Sequence, residues 1–237
     1  MKKIIFLIMF PIFCFGQSTV DELYDAAGSK YESEDYYGAI ELYKKALKLN
    51  PEFAKGYHGI GFMKNILGDY YGAIEYYSKA IKIKPDYSNA YNNRALSKHF
   101  GLNDYEGAIK DYSMAISLSK KKDLNHYFNR AICKEALSDF KGSMEDYNMC
   151  IKINPNDEGS YINRGILKSD LKDYYGAIED YNKVIELNPN SSTAYRNRGY
   201  AKELNSKTSK FSCSDWKKAC ELGDQECCRW VIKYNCN

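Results

Sequence analysis

Between Tyr161 and Pro189 small and apolar side chains fall three and four residues apart, as in Ala177, Tyr181, Val184 and Ile185, with polar residues between them. That is the period of a helix with one buried face. The stretch predicts two helices, the first around Tyr161 and the second from Asp173-Tyr174 to just before Pro189. The pattern is not unique to this stretch. Its leading tyrosine returns as Tyr57, Tyr91, Tyr127 and Tyr195, and its closing proline as Pro51, Pro85 and Pro155, so the period is 34 residues. A fixed period of this size marks a stacked array of helix pairs.

The punctuation agrees with the periodicity. Asp35, Asp69, Asp104, Asp139 and Asp173 open the second helices, where a carboxylate caps free amides and suits the helix dipole. The prolines stop one unit and begin the next. Gly38, Gly72, Gly107, Gly142 and Gly176 are expected to keep the second helices thin where they meet a neighbour. The repeats fall near 20–53, 54–87, 88–123, 124–157, 158–191 and from 192 onward, within an array spanning 17–205. Residues 206–237 are expected to hold the second helix of the last repeat and a cysteine-rich capping helix. The interval from Tyr91 to Tyr105 is one residue longer than that from Tyr57 to Tyr70, and the third repeat ends in Ser-Lys-Lys-Lys-Asp instead of Asn-Pro. A bend or loosening is expected there.

These residues carry a resemblance. Tyr161, Gly165, Ala177, Tyr181, Val184 and Pro189 match the aromatic, Gly, Ala, aromatic, Ala and Pro positions of the tetratricopeptide repeat, with Val in place of the usual Ala. The resemblance runs over about 20–222 and recurs five to six times. Leu23 for the aromatic, the missing proline after Leu118 and Cys150 in an Ala slot depart from it. It implies an all-α, right-handed superhelical solenoid of about six helix pairs, whose concave face, lined by first helices, binds a peptide or another protein. The tail SDWKKACELGD with Cys227 and Trp230 resembles the related Sel-like helix pair.

The amino end changes the expected location. Lys2 and Lys3 precede an apolar run from Ile4 to Phe15, too short to span a bilayer, and polarity begins at Gly16-Gln17-Ser18. Residues 1–16 are therefore expected to be a secretory signal peptide cleaved after Gly16. A lipid anchor on Cys14 is the rival reading, disfavoured by the bulky Phe13. Cleavage lowers the formal charge from +3 to +1 with signs interleaved, which gives no nucleic-acid footprint and no membrane span in the mature chain. The expected location is bacterial, in the periplasm or outside the cell. Five cysteines crowd the tail, where an oxidising compartment would pair them. Cys213 is expected to bridge to Cys236, and Cys220 to Cys227 across the Gly223 turn.

Candidate chemistry is sparse. His58, His99 and His126 lie in different repeats without metal-ligand spacing and are expected at the face or surface, and no phosphate loop or nucleophile order is present. No cofactor and no catalysis are expected. Arg94, Arg130, Arg164 and Arg198 each have an aspartate 16 or 17 residues on, namely Asp111, Asp146, Asp180 and Asp215. The first two repeats hold Ala26 with Leu42 and Ile60 with Tyr76 instead, so the two positions change together. One structural ion pair per repeat is expected, an arginine row for acidic ligands being the alternative. Asn93, Asn129, Asn163 and Asn197 are placed either to hold the main chain of an extended peptide or to tie neighbouring first helices. Beside them run Asn92, Phe128, Ile162 and Arg196, then Leu96, Ile132, Ile166 and Tyr200, read as binding-face contacts or as inter-repeat core. An assembly role through the convex face, and a thiol-redox role for Cys227 and Cys228, are the competing functions.

Overall fold

The structure, a computed structural model, describes residues 12–206 and 212–236, with side chains from residue 19 onward. Most of the expected signal peptide lies outside the described residues. So does most of the polar turn before Cys213. The described chain is all-α and forms helix pairs in tandem. It divides into two compact units, one through Lys120 and one from Lys121.

The first unit holds α1 (Ile12–Glu32) with α2 (Tyr36–Leu49), α3 (Ala54–Ile66) with α4 (Tyr70–Ile83), and α5 (Ser88–Leu96) with α6 (Tyr105–Leu118). The second holds α7 (Leu124–Ala136) with α8 (Phe140–Ile153), α9 (Glu158–Asp170) with α10 (Tyr174–Leu187), α11 (Ser192–Ser206) with α12 (Cys213–Glu221), and last α13 (Gln225–Lys233). The residue before each second-helix cap turns the chain with a positive φ. It is Gly68 in one repeat and Glu34, Asn103, Ser138 and Lys172 in the others.

The cap aspartates accept hydrogen bonds from the amides of Gly38, Gly72, Gly107, Gly142 and Gly176 at 2.9–3.0 Å. A Cβ on any of these glycines would first meet its own cap carboxylate rather than a neighbouring helix. They therefore serve the cap turn, not the close helix approach expected of them. Close approach belongs to the first-helix glycines: a Cβ on Gly61 or Gly165 would lie 2.8 or 2.7 Å from the rings of Tyr77 and Tyr181. Those rings, with Tyr112, Tyr147 and Trp216, are the largest fully buried side chains and sit in the middle of their repeats. Each buries enough apolar area to anchor a helix pair. At the repeat ends, Asn50, Asn154 and Asn188 accept from the amides of Glu52, Asn156 and Asn190, bridging the proline between them. The Asn-Pro signature is thus an Asx turn followed by a helix stop.

The extra residue of the third repeat does not loosen the pair. It is absorbed as a π-helical turn at Ser97–Gly101 that continues α5. The turn buries His99 against Phe100, and Ser97 Oγ donates to Asn65 Oδ1 at 2.7 Å. The Asp104 cap and the Arg94 contact to Asp111 survive downstream of it.

Candidate functional site

Each arginine of the first helices meets its aspartate. Arg94, Arg130, Arg164 and Arg198 grip Asp111, Asp146, Asp180 and Asp215 through both Nε and a terminal nitrogen, at 2.5–3.0 Å. The bidentate fork suits the planar guanidinium. The aspartates are buried. The remaining terminal nitrogen of Arg94, Arg164 and Arg198 donates to Ser78, Asn148 and Asn182 of the preceding second helix. Each guanidinium also lies 5.3–5.6 Å from the ring of the leading tyrosine three residues earlier. So occupied, these arginines offer no row of free forks to an acidic ligand.

A second cation was not anticipated. Lys98, Lys134, Lys168 and Lys202 each lie 2.7–2.9 Å from the same aspartate. The signal was legible, because each lysine stands four residues after its arginine and so shares its helix face. In the first two repeats the lysine is present but the aspartate is not. There Lys30 and Lys64 turn to the cap residues Asp35 and Asp69.

The asparagines divide between the two units. Asn93 lies 3.0 Å from His58 Nε2 and accepts from Asn92, so in the first unit the amide ties α5 to α3. His58 also packs against Tyr77 and Tyr87, and its burial pushes it down to about 4. In the second unit Asn129, Asn163 and Asn197 are half-buried and make no side-chain hydrogen bond among the described residues. One helical step further along each first helix stand Ile132, half-buried, Ile166 and Tyr200, the last two exposed at 38% and 49%. Amide and apolar rows therefore run side by side over α7, α9 and α11.

Other candidates are spoken for within the fold. Phe128 packs on Tyr147 and on the Ala131–Leu167 cluster, which makes it inter-repeat core. Ile162 is half-buried. Arg196 donates to the carboxylate of Asp224 at 2.9 Å and so helps to fasten α13. His99 and His126, expected at the binding face or the surface, are buried, and burial lowers the pKa of both. Among the described residues no group of His, Cys, Asp and Glu is placed to hold a metal ion.

The tail carries two disulfides. Cys213 pairs with Cys236, and Cys220 pairs with Cys228 rather than with Cys227. The reason is helical register. Asp224 caps α13 through the amides of Glu226 and Cys227, and the residue three after such a cap points inward. Ser160 and Ala194, three after Asp157 and Ser191, are buried in the same way. Cys227 is accordingly buried with Trp216 and Ala219, leaving its neighbour Cys228 to face Cys220. The free thiols of Cys133, Cys150 and Cys227 are buried and pushed up to about 12, which leaves them inert.

Comparison with known proteins agrees with this architecture. Models described as "TPR repeat" and "Tetratricopeptide repeat" match residues 29–65, 63–99 and 160–191. No curated protein matches the chain by sequence. Among solved structures it is similar to YrrB, described as a TPR protein with an unusual peptide-binding site, at 17% identity and a TM-score of 0.70 over 82% of this chain and 99% of that one. It is also similar to the C-terminal part of a TPR repeat-containing protein from Cytophaga hutchinsonii, at 16% identity and a TM-score of 0.78 over 90% and 87% of the two chains. For pilF of Pseudomonas aeruginosa the values are 14% and 0.71 over 93% and 97%. At such identities these likenesses speak for the fold alone. The repeat matches, the tandem helix pairs and the residues that cap and fill them agree: the chain contains tetratricopeptide repeats.

Proposed function

We propose that this chain is a non-catalytic interaction scaffold that holds an extended peptide or a protein segment against the first helices of its second unit. The supporting observation is the set of unpartnered amides of Asn129, Asn163 and Asn197 beside the apolar row Ile132, Ile166 and Tyr200. A half-buried amide without a partner is under-used, and an extended main chain supplies both a donor and an acceptor. The peptide-binding site named for the YrrB structure is in keeping with this reading. The two disulfides, together with the absence of any membrane-length apolar helix among the described residues, are compatible with the exported location we assign to it, in the bacterial envelope or outside the cell.

The test is capture of partners by photo-crosslinking from Ile166 in the native envelope, with and without Asn129→Ala and Asn163→Ala. Loss of the captured species in the double variant, with its helical signal intact, is the expected result. Capture that is indifferent to both substitutions sinks the reading. A second reading, assembly through the second helices, has one observation in its favour. Tyr37, Tyr71 and Tyr175 stand exposed at the same place in three of them. The thiol-redox role has lost its footing, because Cys228 is in a disulfide and Cys227 is buried.

A further inference from the structure

The first helices of the second unit repeat the charge arrangement of the third repeat, where Arg94 and Lys98 both bond Asp111. On α7, α9 and α11 every arginine and lysine is bonded to a carboxylate: Arg130 and Lys134 to Asp146, Arg164 and Lys168 to Asp180, Arg198 and Lys202 to Asp215, and Arg196 to Asp224. The partners lie on second helices or at the start of α13. The acids of the same first helices have no such cation. Asp170 and Glu203 make no ion pair or side-chain hydrogen bond among the described residues, whereas Glu135 is turned to the hydroxyls of Ser143 and Tyr147 on α8 and Glu158 accepts from the side-chain amide of Asn188. His126 adds no charge at neutral pH, since burial lowers its pKa.

The acids follow the asparagines at two registers, Glu135 and Glu203 six residues on and Asp170 seven. From the unpartnered asparagine a helix step of three reaches the apolar row, and a further three or four reaches the acid. The stripes read Asn129, Ile132, Glu135 on α7, then Asn163, Ile166, Asp170 on α9, then Asn197, Tyr200, Glu203 on α11. Residues at such steps share a helix face. On α9 and α11 amide, apolar and acidic groups thus follow in the same order with the cations drawn into the repeats, while on α7 the acid is held by α8.

We infer that this face takes an extended peptide that is both apolar and cationic, its main chain on the asparagines, its apolar side chains on Ile132, Ile166 and Tyr200, and its lysines or arginines beside Asp170 and Glu203. The inference rests on the binding face proposed above and adds the charge of the occupant. Apolar contacts alone would accept any oily segment. The uncompensated acids repel an acidic one and favour its basic counterpart.

The experiment measures binding of the full chain to short acetylated peptides with leucine at alternate positions, since side chains of an extended strand alternate in direction. Intervening positions are lysine in one series, glutamine in the second and glutamate in the third. Lysine peptides are expected to bind about tenfold more tightly than glutamine peptides and tighter still than glutamate peptides. That preference should shrink as ionic strength rises from about 0.05 to about 0.5 M. Asp170→Asn with Glu203→Gln should level the lysine and glutamine series, and Asn129→Ala with Asn163→Ala should weaken all three. Equal binding of the three series that still depends on the asparagines overturns the charge assignment and leaves the binding face standing. Binding that ignores the asparagines, or no binding in any series, overturns both.

Discussion

The buried aspartate of the fifth repeat is the place to test how the helix pairs are held. Asp180 has a side chain only 4% exposed and receives Arg164 Nε at 2.9 Å, a terminal arginine nitrogen at 2.5 Å and Lys168 Nζ at 2.9 Å. Asp180→Asn keeps the volume and removes the charge. Two cations, 17% and 18% exposed, then lose their carboxylate together. Breaking one side of a buried pair costs about 3–5 kcal/mol. Both bases reach some water, so a loss of about 3 kcal/mol is expected.

The second repeat supplies the control. It has Ile60 and Tyr76 at the places of Arg164 and Asp180, with Tyr76 among Tyr57, Lys64 and Lys79. All three neighbours have counterparts in the fifth repeat, Tyr161, Lys168 and Lys183. Arg164→Ile with Asp180→Tyr therefore transplants a pair into surroundings that already suit it. Lys168 would be free to reach Asp173, as Lys64 reaches Asp69 at 2.5 Å. Replacing a whole buried ionic set by apolar packing is often neutral, so the double variant should come within about 1 kcal/mol of the parent. Because stability in a repeat array is local, urea denaturation followed by circular dichroism is best paired with hydrogen exchange over residues 158–187. A double variant as unstable as Asp180→Asn, or an Asp180→Asn variant within about 1 kcal/mol of the parent, would refute the reasoning.

Two further outcomes follow from groups outside the triads. Burial holds His58 at about 4 against an ordinary 6.5, so in that window the folded chain binds fewer protons than the unfolded one. Its contribution is complete above about pH 6.5 and is lost as pH falls through about 4, up to roughly 3 kcal/mol, and His58→Gln should flatten the fall in urea midpoint between pH 7.5 and 5; equal slopes would count against it. The disulfides close loops with sequence separations of 23 and 8. By loop entropy they contribute about 3.4 and about 2.5 kcal/mol, so mild reduction should raise exchange in α13 first, while Cys133, Cys150 and Cys227 resist thiol labelling until the chain unfolds. Labelling of Cys227 in the native oxidised protein would contradict its placement.

Much of this fold could be read from the chain because each repeated residue does one local job. An aspartate before a helix caps it whatever lies around it, and Tyr181 fills the middle of its repeat because its period places it there. Co-variation of Ala26 with Leu42, and of Ile60 with Tyr76, likewise pointed to the arginine–aspartate pairs. What escaped the reading depends on direction within a helix. A lysine such as Lys168 reads as solvated from its type alone, although its spacing from Arg164 sets it on the buried face. Cys227 was paired wrongly because adjacent cysteines look equivalent in sequence, while the Asp224 cap decides which turns inward. The extra residue of the third repeat reads as a bend or loosening, since nothing in the linear pattern distinguishes a loop from the π-turn at Ser97–Gly101 that absorbs it.

Charge is unevenly distributed among the first helices. Acids and bases nearly balance over the whole chain, which suggests a neutral surface throughout. The balance is not local. The described helices α3 and α5 contain no acidic residue, whereas α1 carries Asp21, Glu22, Asp25 and Glu32, and α7, α9 and α11 carry Glu135, Glu158, Asp170 and Glu203. In the second unit the aspartates that hold each hairpin together also withdraw the cations that would mask those acids. Exchange of the fifth repeat's triad for an apolar pair would therefore move Lys168 from Asp180 toward the Asp173 cap, as Lys64 sits on Asp69, and shift the charge beside the neighbouring face. Packing and recognition in these repeats are coupled through the placement of charge, so the parts that fasten the helices also set the sign of the surface they present.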